Sequence, residues 1–160
     1  MYFKTKIKYL KQDESSGKVK KVNEEYMVQA QSFTEAESNI TRMAMTMVDD
    51  FQVVGCSGVT MDACIFDEND SDYWFKAGVE TVTFDESSEK EKKQVLNYYI
   101  QAPDVESAIK SLKEFQRDSI SDWELVSISK TKVLEVYDYK TIAEQGAELL
   151  DDESEESEEE

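Results

Sequence analysis

Sliding the chain along itself by 72 positions aligns residues 1–66 with 73–138 without a gap, and 16 of those 66 pairs are identical. Phe3-Lys4 falls on Phe75-Lys76, and Asp13-Glu14-Ser15-Ser16 falls on Asp85-Glu86-Ser87-Ser88. Lys18, Lys20 and Lys21 fall on Lys90, Lys92 and Lys93, and Tyr26, Gln29, Ala30 and Ala36 on Tyr98, Gln101, Ala102 and Ala108. A constant register over such a span marks an internal duplication, and any fold assigned to one half must also serve the other.

Each copy reads as strand, hairpin, strand, helix, strand. Phe3, Thr5, Ile7 and Tyr9 alternate with Lys4, Lys6 and Lys8, the period-two pattern of a half-buried strand. Tyr26, Val28 and Ala30 point inward from the second strand, with Tyr98, Ile100 and Ala102 as counterparts. Ser32-Phe33-Thr34-Glu35 is a capping box, and Pro103-Asp104 opens the second helix with an Asp cap. Ala36, Ile40, Met43 and Met47 form one buried helical stripe, and Val105, Ala108, Ile109, Leu112 and Phe115 form the other. The closing strands are expected to run over Phe51–Phe66 and Trp123–Tyr139, each bent midway, at Gly55 and Gly58 in the first copy.

The expected fold is therefore α+β, an internal duplication of a ββαβ unit. One helix cannot cover an apolar sheet face, so the copies pair about a pseudo-two-fold axis as one compact body of antiparallel sheet and two helices. The expected boundaries are 1–66 and 73–139 for the repeats, with 67–72 as an acidic linker. Residues 140–150 form a short C-terminal helix, and 151–160 a disordered acidic tail.

Composition excludes several chemistries. The chain of 160 residues has no histidine, five glycines and one proline. That removes His-dependent triads and metal sites, and leaves no phosphate-binding glycine loop. Cys56 and Cys64, eight residues apart on an extended strand, would stand roughly 26 Å from each other, too far for a disulfide. Asp67–Asp72 fails the calcium-loop template, because its sixth position is Asp72 and its twelfth is Gly78 where Gly and Glu are required. Most of the acids sit in loops or the tail, so no enzyme activity, metal or cofactor is expected. No apolar run approaches a membrane span, and Lys4, Lys6 and Lys8 replace a signal-peptide core, so a cytoplasmic protein is expected.

Charge is strongly segregated. The net charge is −18, and the terminal DDESEESEEE carries eight negative charges. Yet seven lysines against two acids occupy Met1–Lys21, a local +5. Cations interleaved with aromatic rings on a sheet suit single-stranded nucleic acid, the cations taking phosphates and the rings unstacked bases. The expected phosphate contacts are Lys4, Lys6, Lys8, Lys20, Lys21, Lys76, Lys92 and Lys93; the expected stacking rings are Tyr2, Trp74 and Tyr99. The plain alternative is an edge strand guarded by lysines against aggregation. A mobile polyanion beside such a patch can compete with nucleic acid and, once displaced, recruit other proteins.

The Tyr2-Phe3-Lys4 and Trp74-Phe75-Lys76 strand starts, the two DESS hairpins, the Tyr26–Ala30 strand and above all Ser32–Glu37 (SFTEAE) resemble an uncharacterised domain-of-unknown-function family. That family occurs in Bacteroidetes and their phages, including crAss-like phages. The resemblance implies a phage or bacterial origin, with the bacterial host cytoplasm as location if phage-encoded; it implies no activity and no site residues. The acidic tail is similar to those ending many phage and bacterial single-stranded-DNA-binding proteins. The leading expectation is a non-catalytic single-stranded DNA-binding protein, with RNA as the other candidate ligand, acting in replication or recombination. Its tail would recruit replication or other proteins. The alternatives are a protein–protein adaptor or host-takeover factor using the acidic surface, and a phage structural component.

Overall fold

The computed structural model describes residues 1–146. It is an α+β chain of two four-stranded sheets and helices. In order, β1 (Tyr2–Gln12), β2 (Val19–Gln29), α1 (Phe33–Met45) and β3 (Gln52–Val59) are followed by the short β4 (Ala63–Ile65). Then come β5 (Tyr73–Asp85), β6 (Lys90–Ala102), α2 (Val105–Phe115), β7 (Trp123–Lys130) and β8 (Val133–Tyr137). A further helix, α3, is described over 139–146; the rest of the expected 140–150 helix and the 151–160 tail lie outside the described residues.

The compact units divide at Val59/Thr60 and Leu134/Glu135, not at the expected 67–72 linker. The first unit has strand order β3-β1-β2-β8, and the second β4-β6-β5-β7. Each expected long closing strand is in fact two strands in different sheets. Ala63–Ile65 of β4 pair in parallel with Tyr98–Ile100 of β6, while β8 lies beside β2. The segment 67–72 is a structured loop: Gln101 donates to Ser71 O and Asp70 Oδ1, and its Oε1 accepts the Asp67 amide.

Local chemistry recurs at positions 72 apart. The Ser32 Oγ accepts the Glu35 amide at 3.1 Å, and the Asp104 Oδ1 accepts the Ser107 amide at 2.7 Å, which satisfies one free N–H at each helix start. Glu35 reaches back to the Gln31 amide rather than to that of Ser32. Asp13 and Asp85 each accept the amide and hydroxyl of the serine two residues on, closing both hairpins, and both carboxyls are held below the usual range by those bonds. Gly17 and Glu89 occupy the left-handed region at φ 69° and 55°. Both bulges also correspond, between Lys6/Ile7 and between Gly78/Val79.

The first core packs Phe3, Ile7, Tyr26 and Val28 of the sheet on Ile40 and Met43 of α1, with Ile142 of α3 joining it. The second packs Phe75, Val79, Tyr98 and Ile100 on Ala108 and Leu112 of α2. Met47, expected on the buried stripe, lies past the end of α1 and is exposed, its sulfur facing the Tyr26 and Tyr137 hydroxyls. Val105 and Phe115 are likewise exposed at the two ends of α2. Among the described residues no helix is long and apolar enough to cross a membrane.

Candidate nucleic-acid interface

Strand alternation sorts the lysines. On β1 the face of Phe3, Thr5 and Ile7 is buried, so Lys4, Lys6 and Lys8 take the other face. The β1–β2 register pairs Leu10 with Lys21, which adds Lys21 to that face. Lys4, Lys6 and Lys21 are exposed and Lys8 is half-buried. Alternate residues recur about every 6.8 Å, so the row offers evenly spaced ammonium groups along an extended line. Lys6 also lies 3.9 Å from Glu25, a pair whose lysine is half exposed. Such a pair contributes little, and a phosphate can displace its carboxylate.

β1 is paired along both sides, with β2 over its length and with β3 over Tyr2–Lys8. It is a central strand, so these lysines do not guard a sheet edge, and the aggregation reading of them is corrected. Gly55 stands opposite Lys6, and a Cβ there would lie 3.5 Å from that of Lys6, an ordinary contact.

The second unit does not repeat the row. The positions matching Lys6 and Lys8 are Gly78 and Glu80. Lys76 and Lys93 share the corresponding face, with Lys93 3.9 Å from Glu80. Residues 60–134 carry nine basic and sixteen acidic groups; in the first unit residues 1–59 carry eight of each, and residues 135–160 add one basic and twelve acidic. Lys20 pairs with Lys11 and Lys92 with Thr83, which puts both on the opposite faces of their sheets; grouping them with Lys21 and Lys93 is corrected.

The expected stacking rings are also corrected. Trp74 is 0% exposed and Tyr99 5%, so neither offers a face to a base. Trp74 lies edge-on to Phe66 with ring centroids 5.4 Å apart, and its carbonyl accepts from the Thr131 amide and hydroxyl. Its buried indole Nε1 has no hydrogen-bond partner among the described residues. Tyr2 is half-buried.

Sequence reasoning missed a cleft beside the lysine row. Beyond Lys8, β3 no longer covers β1, and a concavity of about 340 Å³ opens there. Lys8, Tyr9, Lys21, Asp50, Phe51 and Gln52 line it. Tyr9 was read only as an inward strand residue and Phe51 only as a strand start. The available signal was the aromatic matched at Phe51 and Trp123. Tyr9 Oη donates to Glu24 Oε1 at 2.5 Å, and Tyr26 Oη to Glu24 Oε2 at 2.6 Å. The bond to Glu24 pushes the Tyr9 phenol up to about 12, and burial raises the Tyr26 and Tyr137 phenols as well.

Cys56 packs at the margin of the first core, where burial raises its thiol; Cys64 is on β4, in the other unit. No group of three metal-ligating side chains gathers among the described residues.

No curated protein and no solved structure matches the chain. Its match is to the family described as Domain of unknown function (DUF4494), over residues 1–139. With that match covering most of its length, the chain belongs to this domain-of-unknown-function family.

Proposed function

We propose that the protein is a non-catalytic single-stranded nucleic-acid-binding protein that takes phosphates on Lys4, Lys6, Lys8 and Lys21. The observation that carries this reading is the in-register placement of these four cations on one face of β1–β2, where Glu25, opposite Lys6, is the one acid of the two strands. A net charge of −18 does not oppose it, because association follows the local potential rather than the total. Residues 151–160 act as a tethered competitor for the row and as a recruiting segment once displaced.

The same reading takes the two ββαβ segments as copies of one unit. It is supported by helix caps, hairpin caps and bulges that recur 72 residues apart. Only the first copy keeps the cationic row, so binding is assigned to one copy rather than shared.

The test is a fluorescence-anisotropy titration of the full chain with oligo-thymidylate at low salt. Binding that weakens linearly on a log–log plot against salt is expected, with a slope of about −0.7 per phosphate contact for a single strand. Absence of binding, or a flat salt response, overturns the proposal.

A further inference from the structure

We infer that the cleft between the β1–β2 ribbon and the start of β3 is a base pocket, holding one nucleobase of the strand whose phosphates follow the lysine row. The inference rests on the nucleic-acid reading above and deepens it, because it assigns the aromatic partner that Trp74 and Tyr99 cannot supply.

Three features bear on the occupant. First, the cleft opens at the β1 edge that β3 leaves uncovered, where Tyr9 and Phe51, which pack toward the first core, and Lys8 and Lys21, from the opposite face of the sheet, all contribute to its lining. Flat rings beside cations suit a planar, electron-rich group that carries a phosphate. A simple anion would need no rings, and an aliphatic ligand would gain nothing from paired lysines.

Second, the size is right. The volume of about 340 Å³ stands near the lower end of the roughly 300–1,000 Å³ of small-molecule pockets, enough for one nucleotide. Third, the site is held in place. The Tyr9 hydroxyl is anchored on Glu24 at 2.5 Å, and Phe51 packs against the first core, so neither ring must be ordered on binding.

Asp50 and Gln52 provide the polar rim. The Asp50 carboxylate repels phosphate but accepts hydrogen bonds from exocyclic amino groups, and the Gln52 amide both donates and accepts. The backbone phosphates are thus directed to the Lys8/Lys21 side and the base edge to the Asp50/Gln52 side. A base bearing an amino group fits this rim better than thymine does.

The test compares an oligo-cytidylate with a fully abasic strand of the same length, titrated against the full-length protein by anisotropy at low salt. The expected result is salt-dependent binding of both strands, with the base-bearing strand about tenfold tighter. Phe51→Leu, which keeps apolar bulk in the core, should erase that preference, read as the ratio of the two affinities measured on the same variant; Tyr9→Phe, which keeps the ring, should retain it. Equal binding of the two strands by the unmodified protein overturns the base pocket and leaves the phosphate reading standing. Binding of neither strand overturns that reading and the pocket with it.

Discussion

Gln101 fixes Asp67: its side-chain Oε1 accepts the Asp67 amide at 3.0 Å across 34 residues of sequence. Its Nε2 donates to Ser71 O at 2.8 Å and to Asp70 Oδ1 at 3.1 Å, so one buried amide satisfies both ends of the loop that leads into β5. The matched residue Gln29 does the corresponding thing in the first unit, where its Oε1 accepts the Tyr139 amide at 3.0 Å. In each unit a glutamine at the end of a β-strand receives the segment that follows the added fourth strand.

Replacing Gln101 by Leu leaves the Asp67 N–H and the Ser71 carbonyl without their partner in a site only 3% exposed. A loss of about 2–3 kcal/mol in unfolding free energy is expected, measured by urea denaturation. Gln29→Leu should be milder, because Gln29 is only partly buried and makes a single such bond. Equal effects from the two substitutions would count against the bridging role of Gln101.

A second expectation concerns alkaline pH. Glu24 accepts from both Tyr9 and Tyr26, and a phenolate beside its carboxylate is unfavourable. Tyr9 is accordingly raised from 10.0 to about 12. A folded-state value above the unfolded one favours the protonated form, so this stabilisation is complete below pH 10 and is lost as the pH rises toward 12. Glu24→Gln removes the charge and should move part of the tyrosinate absorbance rise to lower pH. An unchanged titration curve would contradict the coupling.

The third concerns the bulge in the second unit. A Cβ on Gly78 would stand 2.5 Å from Ser127 Oγ and 3.5 Å from the Val126 and Val95 side chains. Gly78→Ala should destabilise by no more than about 1 kcal/mol, because the 3.5 Å approaches are ordinary contact and the exposed Ser127 hydroxyl must only turn to another rotamer. The first unit solves the same pairing with the glycine on the other strand, Gly55 opposite Lys6. Adding Ser127→Gly to Gly78→Ala reproduces that arrangement and should recover most of the loss. A thermal-denaturation cycle measures the coupling, and simple additivity would refute a steric origin.

Much of this architecture was legible because its signals are local. Ser32, Asp104 and the two DESS hairpins announce their turns through side chains that bond within a few residues, and the 72-residue offset carries each reading to the other half. What failed was non-local. Alternation places Trp74 and Tyr99 opposite Phe75 and Tyr98, but it gives the side of a sheet and not whether that side meets water. Lys20 and Lys21 are neighbours on one strand, so they must point to opposite faces whatever their shared charge suggests. The three-residue β4 carries too little pattern to reveal which sheet it joins. The Tyr9/Phe51 cleft depends on where β3 stops pairing with β1, a tertiary boundary with no signature in either strand.

The tail yields a fourth prediction. Removing residues 151–160 takes away eight negative charges and should tighten oligo-thymidylate binding at low salt. The gain should shrink as salt rises, since screening acts over about 10 Å at 0.1 M and about 3 Å at 1 M. Anisotropy titrations of the intact and truncated chains across that range measure it. A gain that persists at high salt would point to a role other than charge competition.

Charge reversal along β1 is the fifth, and it tests the row itself. Lys4→Glu and Lys6→Glu each turn an attraction into a repulsion at an exposed position, so each should weaken oligo-thymidylate binding on the order of tenfold at low salt. Each should also reduce the salt slope by about 0.7, the share of one phosphate contact. Lys20→Glu and Lys92→Glu make the same change in charge on the opposite sheet faces, so they control for net charge. They should leave the slope unchanged and the affinity within about twofold. If all four reversals weaken binding alike, the strand responds to total charge and no lysine row exists. If only Lys4 and Lys6 matter, the row is the interface, because register on β1 is what separates them from the controls.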